Sequence, residues 1–394
     1  MALIKKISFS ILLVIIFVGI FAGGFYYGEN LTVCEICPPT DFDFSLFWTA
    51  YNQLQEKFVN QEKIDPQKIL YGAISGMAKS LGDPYTTFFN PTEAEQFQDE
   101  LSGFFNGIGV EMGVQREILT VISPLKGSPA EAVGLRAGDK ITKINGKDTF
   151  EMTTDEAVTL IRGEKGTEVT LTIYRSGWTE EKDFVIVRDT IKIPSLDWKI
   201  VNGNIVHLEI YQFSQSLSAD FDKAALEILN SPAKKIVLDL RNNPGGYLEI
   251  AQDVAGWFLE KNKVVVIEDF GGGKDQKTYE TYGNGNFSQY PMVILINQGS
   301  ASASEILAGA LKDNRNIQLI GEKSFGKGSV QEGVVLEDGS FLKVTIAKWL
   351  TPNGTSISEK GLEPDIKVEL TEQDYEQDKD PQLDKAIEII EGMQ

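Results

Sequence analysis

The strongest constraint on the fold is an alternation between residues 205 and 321. Apolar runs at 205–210, 235–240, 264–268, 292–297 and 317–321 are separated by helix-periodic stretches at 216–230, 248–259 and 302–312. Strands that take turns with helices at this spacing predict an α/β layered core, which the runs at 334–336 and 341–349 extend. At 394 residues the chain is too long for that core alone, so a multidomain α/β protein is expected.

The formal net charge of −20 argues against a nucleic-acid partner, because a phosphate backbone demands a basic footprint. At the N-terminus, Lys5 and Lys6 precede an uncharged apolar stretch over 7–27, long enough to cross a bilayer as a helix. Positive charge before such a span predicts a cytoplasmic N-terminus and an exported remainder. Residues 1–28 are thus expected to be an uncleaved membrane anchor, with a secretory signal cleaved near 22–24 as the alternative. Either way the remainder is extracytoplasmic, in a periplasm or at the cell surface. The linker 29–42 holds the only cysteines, Cys34 and Cys37. Zinc normally takes four ligands, and the single histidine, His207, is far away in sequence, so no metal is expected. A small disulfide or inter-chain link is the favoured reading of the pair.

Residues 43–102 show apolar residues at helical spacing and form an expected small helical subdomain, with Leu81-Gly-Asp-Pro84 stopping its second helix and a third over 92–101. From 103 to 190 the texture changes to short strands and tight turns. Gly107-Ile-Gly109 lies where a strand opens, 128–133 and 154–162 are helical, and Gly134-Leu-Arg-Ala-Gly-Asp139 leads to an Asn145-Gly146 turn. This order resembles a circularly permuted PDZ domain. The resemblance implies that Gly107, Ile108 and Gly109 present backbone N–H groups to a C-terminal carboxylate, while the ligand adds a strand to the sheet.

The chemistry concentrates between residues 300 and 331. Ser302 precedes an apolar helix, and Ser302-Ala-Ser-Glu305 fits a capping box, which explains a serine there without any reaction. The same place suits a nucleophile, because free N–H groups at a helix start stabilise developing negative charge. A serine nucleophile needs a base. His207 sits inside a predicted strand, whereas Lys327 lies in the glycine-flanked turn Phe325-Gly-Lys-Gly-Ser329. Lysine can serve once burial removes its charge; a fall of ~3 units corresponds to roughly 4 kcal/mol. Two decoys overlap this turn. Residues 321–328 nearly spell a phosphate-binding loop but lack the Ser/Thr for magnesium, and Ser324-Phe-Gly-Lys327 spells S-x-x-K without its companion motifs.

Together these segments resemble the C-terminal processing peptidases, or tail-specific proteases, over nearly everything after the anchor. The shared motifs are Leu81-Gly-Asp-Pro-Tyr-Thr86, the PDZ-like segment, Asp239-Leu-Arg-Asn-Asn-Pro-Gly-Gly246, Ser300-Ala-Ser-Ala-Ser-Glu-Ile306 and Ser324-Phe-Gly-Lys-Gly-Ser-Val-Gln331. The resemblance implies a peptidase core over 191–368, Ser302 as nucleophile, Lys327 as base and Gln331 orienting it. It also implies an oxyanion hole from the amide of Ala303 and a glycine of the 243–246 turn, for which Gly246 is the choice. Asp313 matches an acidic position of structural character. Arg162 matches a position tied to substrate-induced activation in some relatives.

The expected function is a tethered extracytoplasmic serine endopeptidase, free of cofactors, whose substrates are proteins with free apolar C-termini. The rivals are a catalytically dead scaffold that binds C-terminal tails and an acyltransferase using the same serine. The acidic segment 369–394 ends in a short amphipathic helix over 383–391, a candidate contact for a homo-oligomer.

Overall fold

The computed structural model describes residues 17–21 and 43–393, apart from positions 116, 117, 126, 151, 153, 359, 372, 375, 376 and 378. Of the expected anchor only residues 17–21 are described, as helix, and Cys34 and Cys37 lie outside the described residues. Among the described residues no helix is long and apolar enough to cross a membrane. The chain divides into two compact units, residues 1–70 and 71–394. In the first, helix Ser45–Lys57 buries none of its residues, and Phe44, Phe47, Trp48 and Tyr51 stack edge to face along it.

In the second unit the expected layered core is present. Its six-stranded sheet runs Leu196–Val201, Ile205–Ile210, Lys235–Asp239, Met292–Ile296, Gln318–Gly321, Ile366–Lys367. The first pair is antiparallel and every later pair parallel. Successive side chains of a strand point to opposite faces, and the two faces have different covers. Val206, Leu208 and Ile210 join the main core with helices Leu217–Leu229, Leu248–Phe258 and Ala303–Arg315. Ile205, Val237, Val293 and Ile320 face the C-terminal helix Pro381–Glu391 through Ala386 and Ile390. Fully burying each such aliphatic side chain contributes about 1.5–3 kcal/mol.

The run at 264–268 is a strand, Val264–Asp269, but it leaves the alternation. It joins a second sheet with Thr87–Phe89, Lys277–Glu280 and the long strand Phe341–Leu350. Ser329–Val335 pairs along the other side of Phe341–Leu350. That strand starts five residues before the expected 334–336, because Ser329, Gln331 and Glu332 give no apolar pattern and the ladder alone holds them extended. Thr87–Phe89 likewise ties part of the expected helical subdomain into this sheet, between helices Pro66–Lys79 and Pro91–Ser102.

The 103–190 region folds as five main strands, Val110–Gln115, Ile118–Pro124, Lys140–Ile144, Glu168–Tyr174 and Lys182–Val187, around its own apolar cluster. Asn145 and Gly146 both take positive φ, 51° and 77°, as a two-residue hairpin turn requires. Phe104–Gly107 pairs with Asp189–Lys192 where the chain enters and leaves this domain.

Candidate active site

The run Ser300-Ala-Ser-Ala-Ser304 joins strand Met292–Ile296 to helix Ala303–Arg315 at the carboxyl edge of the parallel sheet. Its three serines have different surroundings. Ser300 is fully buried, donates its hydroxyl to Leu240 O at 2.7 Å and accepts from Asn297 N–H. Ser304 is also fully buried and donates to Asn243 O at 3.0 Å. Ser302 alone is partly exposed. It stands at the helix N-cap with φ 55° and ψ −115°, a conformation uncommon for a residue with a Cβ and costing about 1–3 kcal/mol. That turn lifts the Ser302 side chain out of the packed layer that holds its two neighbours.

Glu305 reaches back from the first helical turn, as the capping-box pattern predicts, and Ser302 N–H donates to its Oε2 at 2.9 Å. Its carboxylate does more than cap. It also accepts from Ser324 Oγ (2.6 Å), Gly326 N–H (2.7 Å) and Lys327 N–H (3.0 Å). One buried carboxylate thus fastens the lysine turn to the serine turn. Burial pushes the Glu305 carboxyl above its ordinary range, against the pull of these four donors. Burial likewise draws the Lys327 ammonium below the ordinary lysine range, with the Glu305 charge opposing. Lys327 Nζ lies 5.8 Å from the Tyr85 ring centroid and, among the described residues, makes no hydrogen bond to Ser302.

The Asn243-Pro-Gly-Gly246 turn abuts the serine from the other side. Buried Asn243 braces it, donating to Ile210 O at 2.7 Å and accepting Gly245 N–H at 2.9 Å, while its carbonyl accepts Ala301 N–H. A Cβ on Gly245 would meet Ala301 O at 2.6 Å and Ser302 Cβ at 2.7 Å, so only glycine permits this approach. With the Gly245 amide engaged, the amides of Gly246 and Ala303 have no acceptor among the described residues.

In the 103–190 domain, Gly107, Ile108 and Gly109 line an apolar groove with Phe105, Val158 and Arg162. The carbonyls of Ile108 and Gly109 accept from Ala130 and Leu125, while their N–H groups have no acceptor among the described residues. Arg162 places its guanidinium 4.9 Å above the Phe105 ring, so two features read separately in the sequence share one groove.

Three segments of the chain match known protein families. Residues 204–368 match the model of peptidase family S41, residues 120–175 a PDZ domain and residues 40–92 the N-terminal domain of the activating protease CtpB. The chain is 39% identical over 331 residues to the carboxy-terminal processing protease CtpA of Bacillus subtilis (strain 168), covering 84% of this chain and 70% of that protein. The chain belongs to peptidase family S41. To CtpB of the same organism it is 38% identical over 322 residues, which cover 81% of this chain and 66% of the relative. A protein of solved structure from Bacteroides fragilis NCTC 9343 shares the fold, with a TM-score of 0.51 at 18% identity over 91% of this chain and all of that one. This S41 peptidase is therefore a serine-type endopeptidase carrying a PDZ domain.

The remaining residues of this S41 peptidase named from sequence fall as follows. Gln331 sits at a bulge in strand Ser329–Val335 and donates its side-chain amide to Ser329 O and Oγ; among the described residues its carbonyl oxygen accepts nothing from Lys327. Asp313 accepts Asn353 N–H at 2.9 Å, a structural contact. His207 points to the sheet face covered by the C-terminal helix and bonds buried Asp239 at 3.0 Å, on the face opposite the serine helix. Two residues carry more than the sequence suggested. Glu305 showed only its capping-box signal, and Gly245 was overshadowed by Gly246 in the same turn.

Proposed function

We propose that Ser302 is the nucleophile and Lys327 the general base of this peptidase. The observation that carries the reading is the Glu305 carboxylate, which binds the backbone of both residues at once. Neutral Lys327 takes the Ser302 hydroxyl proton as Oγ attacks the scissile carbonyl. The tetrahedral oxygen is received by the N–H groups of Ala303 and Gly246, donors fixed by a helix start and a glycine turn. The lysine then protonates the leaving amine, and water releases the acyl-enzyme by the same route in reverse. Among the described residues no hydrogen bond joins Lys327 to Ser302, and Gln331 is bonded to Ser329, so the pair closes when substrate engages. Catalytic contacts often tighten only in the substrate complex.

Substrate choice belongs to the PDZ groove. An apolar C-terminal tail adds a strand there, with its carboxylate on the amides around Ile108 and Gly109 and Arg162 at the rim. The apolar stretch 7–27 behind Lys5 and Lys6 tethers the enzyme outside a membrane. The reading is tested with an unfolded reporter ending in apolar residues, as free carboxylate or as amide. Cleavage of the free form alone, abolished in Ser302→Ala, is expected. Equal cleavage of both forms would remove tail recognition, and activity in Ser302→Ala would remove the nucleophile.

A further inference from the structure

The motif Leu81-Gly-Asp-Pro-Tyr-Thr86 has no part in the reaction described above. In the structure it connects helix Pro66–Lys79 to strand Thr87–Phe89 and closes on itself through Asp83. That carboxylate accepts Tyr85 N–H at 3.1 Å and the Thr86 hydroxyl at 2.6 Å. Thr86 Oγ1 in turn accepts Thr345 N–H at 3.1 Å, which pins the turn to strand Phe341–Leu350. On the other side of that strand Thr345 pairs in register with Gln331. Its N–H is spent on Thr86, so Gln331 and Thr345 form a non-hydrogen-bonded pair, the kind whose side chains stand closest and on one face of the ladder. The two side chains are nevertheless not joined. The Gln331 amide nitrogen turns back along its own strand to Ser329 O at 3.0 Å and Ser329 Oγ at 2.6 Å. Thr345 Oγ1 is buried and, among the described residues, has no hydrogen-bond partner. A buried hydroxyl left so is costly and uncommon.

We propose that Thr345 is a positioning residue for the lysine base, and that its hydroxyl is the second seat of the Gln331 amide. The inference rests on Lys327 being the base and on Gln331 orienting it. In the first seat the Gln331 amide nitrogen is held by Ser329. In the second, Gln331 Nε2 donates to Thr345 Oγ1, and Oε1 of the same amide accepts from Lys327 Nζ. An amide turned this way fixes the lysine by its oxygen because its nitrogen is fixed across the ladder. The Thr345 proton has an acceptor of its own. Burial opposes, but the nearby Thr345 and Thr86 hydroxyls hold the Asp83 carboxyl below the ordinary carboxylate range. Thr345 can thus donate to Asp83 while its lone pairs stay open to Gln331. The exchange gives up two acceptors on Ser329 and satisfies one buried oxygen that otherwise has no partner, which brings the two seats close in energy. It also gives the Leu81–Thr86 turn a task, since that turn holds Thr345 through its backbone and faces its hydroxyl with Asp83.

The test is steady-state cleavage of the free-tail reporter by the full chain, with melting temperature measured on the same preparations. Thr345→Val keeps the shape of the side chain and removes the hydroxyl. It is expected to lower kcat on the order of 10-fold with KM nearly unchanged. Its melting temperature should hold or rise, because the deleted hydroxyl has no partner in the resting fold. Thr345→Ser restores turnover. In a Gln331→Ala background, Thr345→Val should bring no further loss, since both residues act through one amide. A purely structural role predicts the reverse pattern, a lower melting temperature with the turnover of the folded enzyme intact. Unchanged kcat in Thr345→Val, full activity in Gln331→Ala, or a loss that persists in the Gln331→Ala background overturns the proposal. Thr345→Ala, which also lacks the hydroxyl, decides the outcome if the valine variant does not fold. Lys327→Ala separates the two readings. If that variant is active the lysine base is lost as an idea; if it is inactive while Thr345→Val is fully active, only the present proposal fails.

Discussion

Ser302 and Lys327 donate their backbone N–H groups to the same oxygen, Oε2 of Glu305, at 2.9 and 3.0 Å. The two main-chain nitrogens are therefore no farther apart than two hydrogen bonds laid end to end, although 25 residues separate them in sequence. Glu305→Gln should expose this dependence. A carboxamide has one acceptor oxygen and turns an NH2 toward N–H donors, leaving some of them unpaired. The expected cost is about 1–3 kcal/mol of stability. Turnover should fall on the order of 10²-fold through misplacement, with KM nearly unchanged. Melting and steady-state kinetics on one preparation check both.

Gly245→Ala should inactivate the enzyme. The added methyl would stand 2.7 Å from Ser302 Cβ and 2.6 Å from Ala301 O, at a φ of 98° that disfavours any side chain. The serine turn has to shift, and a shift of 1 Å costs on the order of 10²-fold. Near-normal turnover in folded Gly245→Ala would show that the glycine turn does not fix the nucleophile.

His207 offers the opposite expectation. It lies on the sheet face away from the serine helix, and among the described residues its ring bonds Asp239, which in turn pairs with Arg241 and through it Asp380. His207→Leu should keep peptidase activity and lose about 0.5–1.5 kcal/mol of stability. A large drop in turnover at unchanged KM would bring the imidazole back as a candidate base.

The same network gives a pH dependence with a definite sign. Despite burial, hydrogen bonds from His207 and Arg241 hold the Asp239 carboxyl below the ordinary carboxylate range. A carboxylate depressed in the folded state stabilises the fold above the unfolded pKa of about 3.9 and loses that contribution as pH falls through the folded value. The stability gap between the enzyme and Asp239→Asn should therefore shrink as pH falls below about 3.9. Denaturant titrations at several pH values measure it.

Much of this was legible in the sequence because local pattern and tertiary role coincided. The apolar runs at 205–210 and 292–297 were regular enough to predict strands of a layered α/β core, and Ser302 announced itself by preceding an apolar helix. The strand Ser329–Val335 was half hidden because its first residues are polar and are held by the ladder to Phe341–Leu350. Val264–Asp269 has the same apolar texture as the core strands, and only long-range pairing sends it to another sheet. Glu305 carried its cap signal, but a one-dimensional pattern holds no trace of donors that arrive from residues 324–327.

The most direct measurement of the central claim is cleavage of the free-tail reporter by Lys327→Arg beside the unmodified enzyme and Ser302→Ala. Arginine keeps the positive charge but cannot give up its proton in a protein. The lysine-base account predicts that folded Lys327→Arg is as inactive as Ser302→Ala. Substantial cleavage by Lys327→Arg, with Ser302→Ala inactive, would show that the serine draws its base from elsewhere.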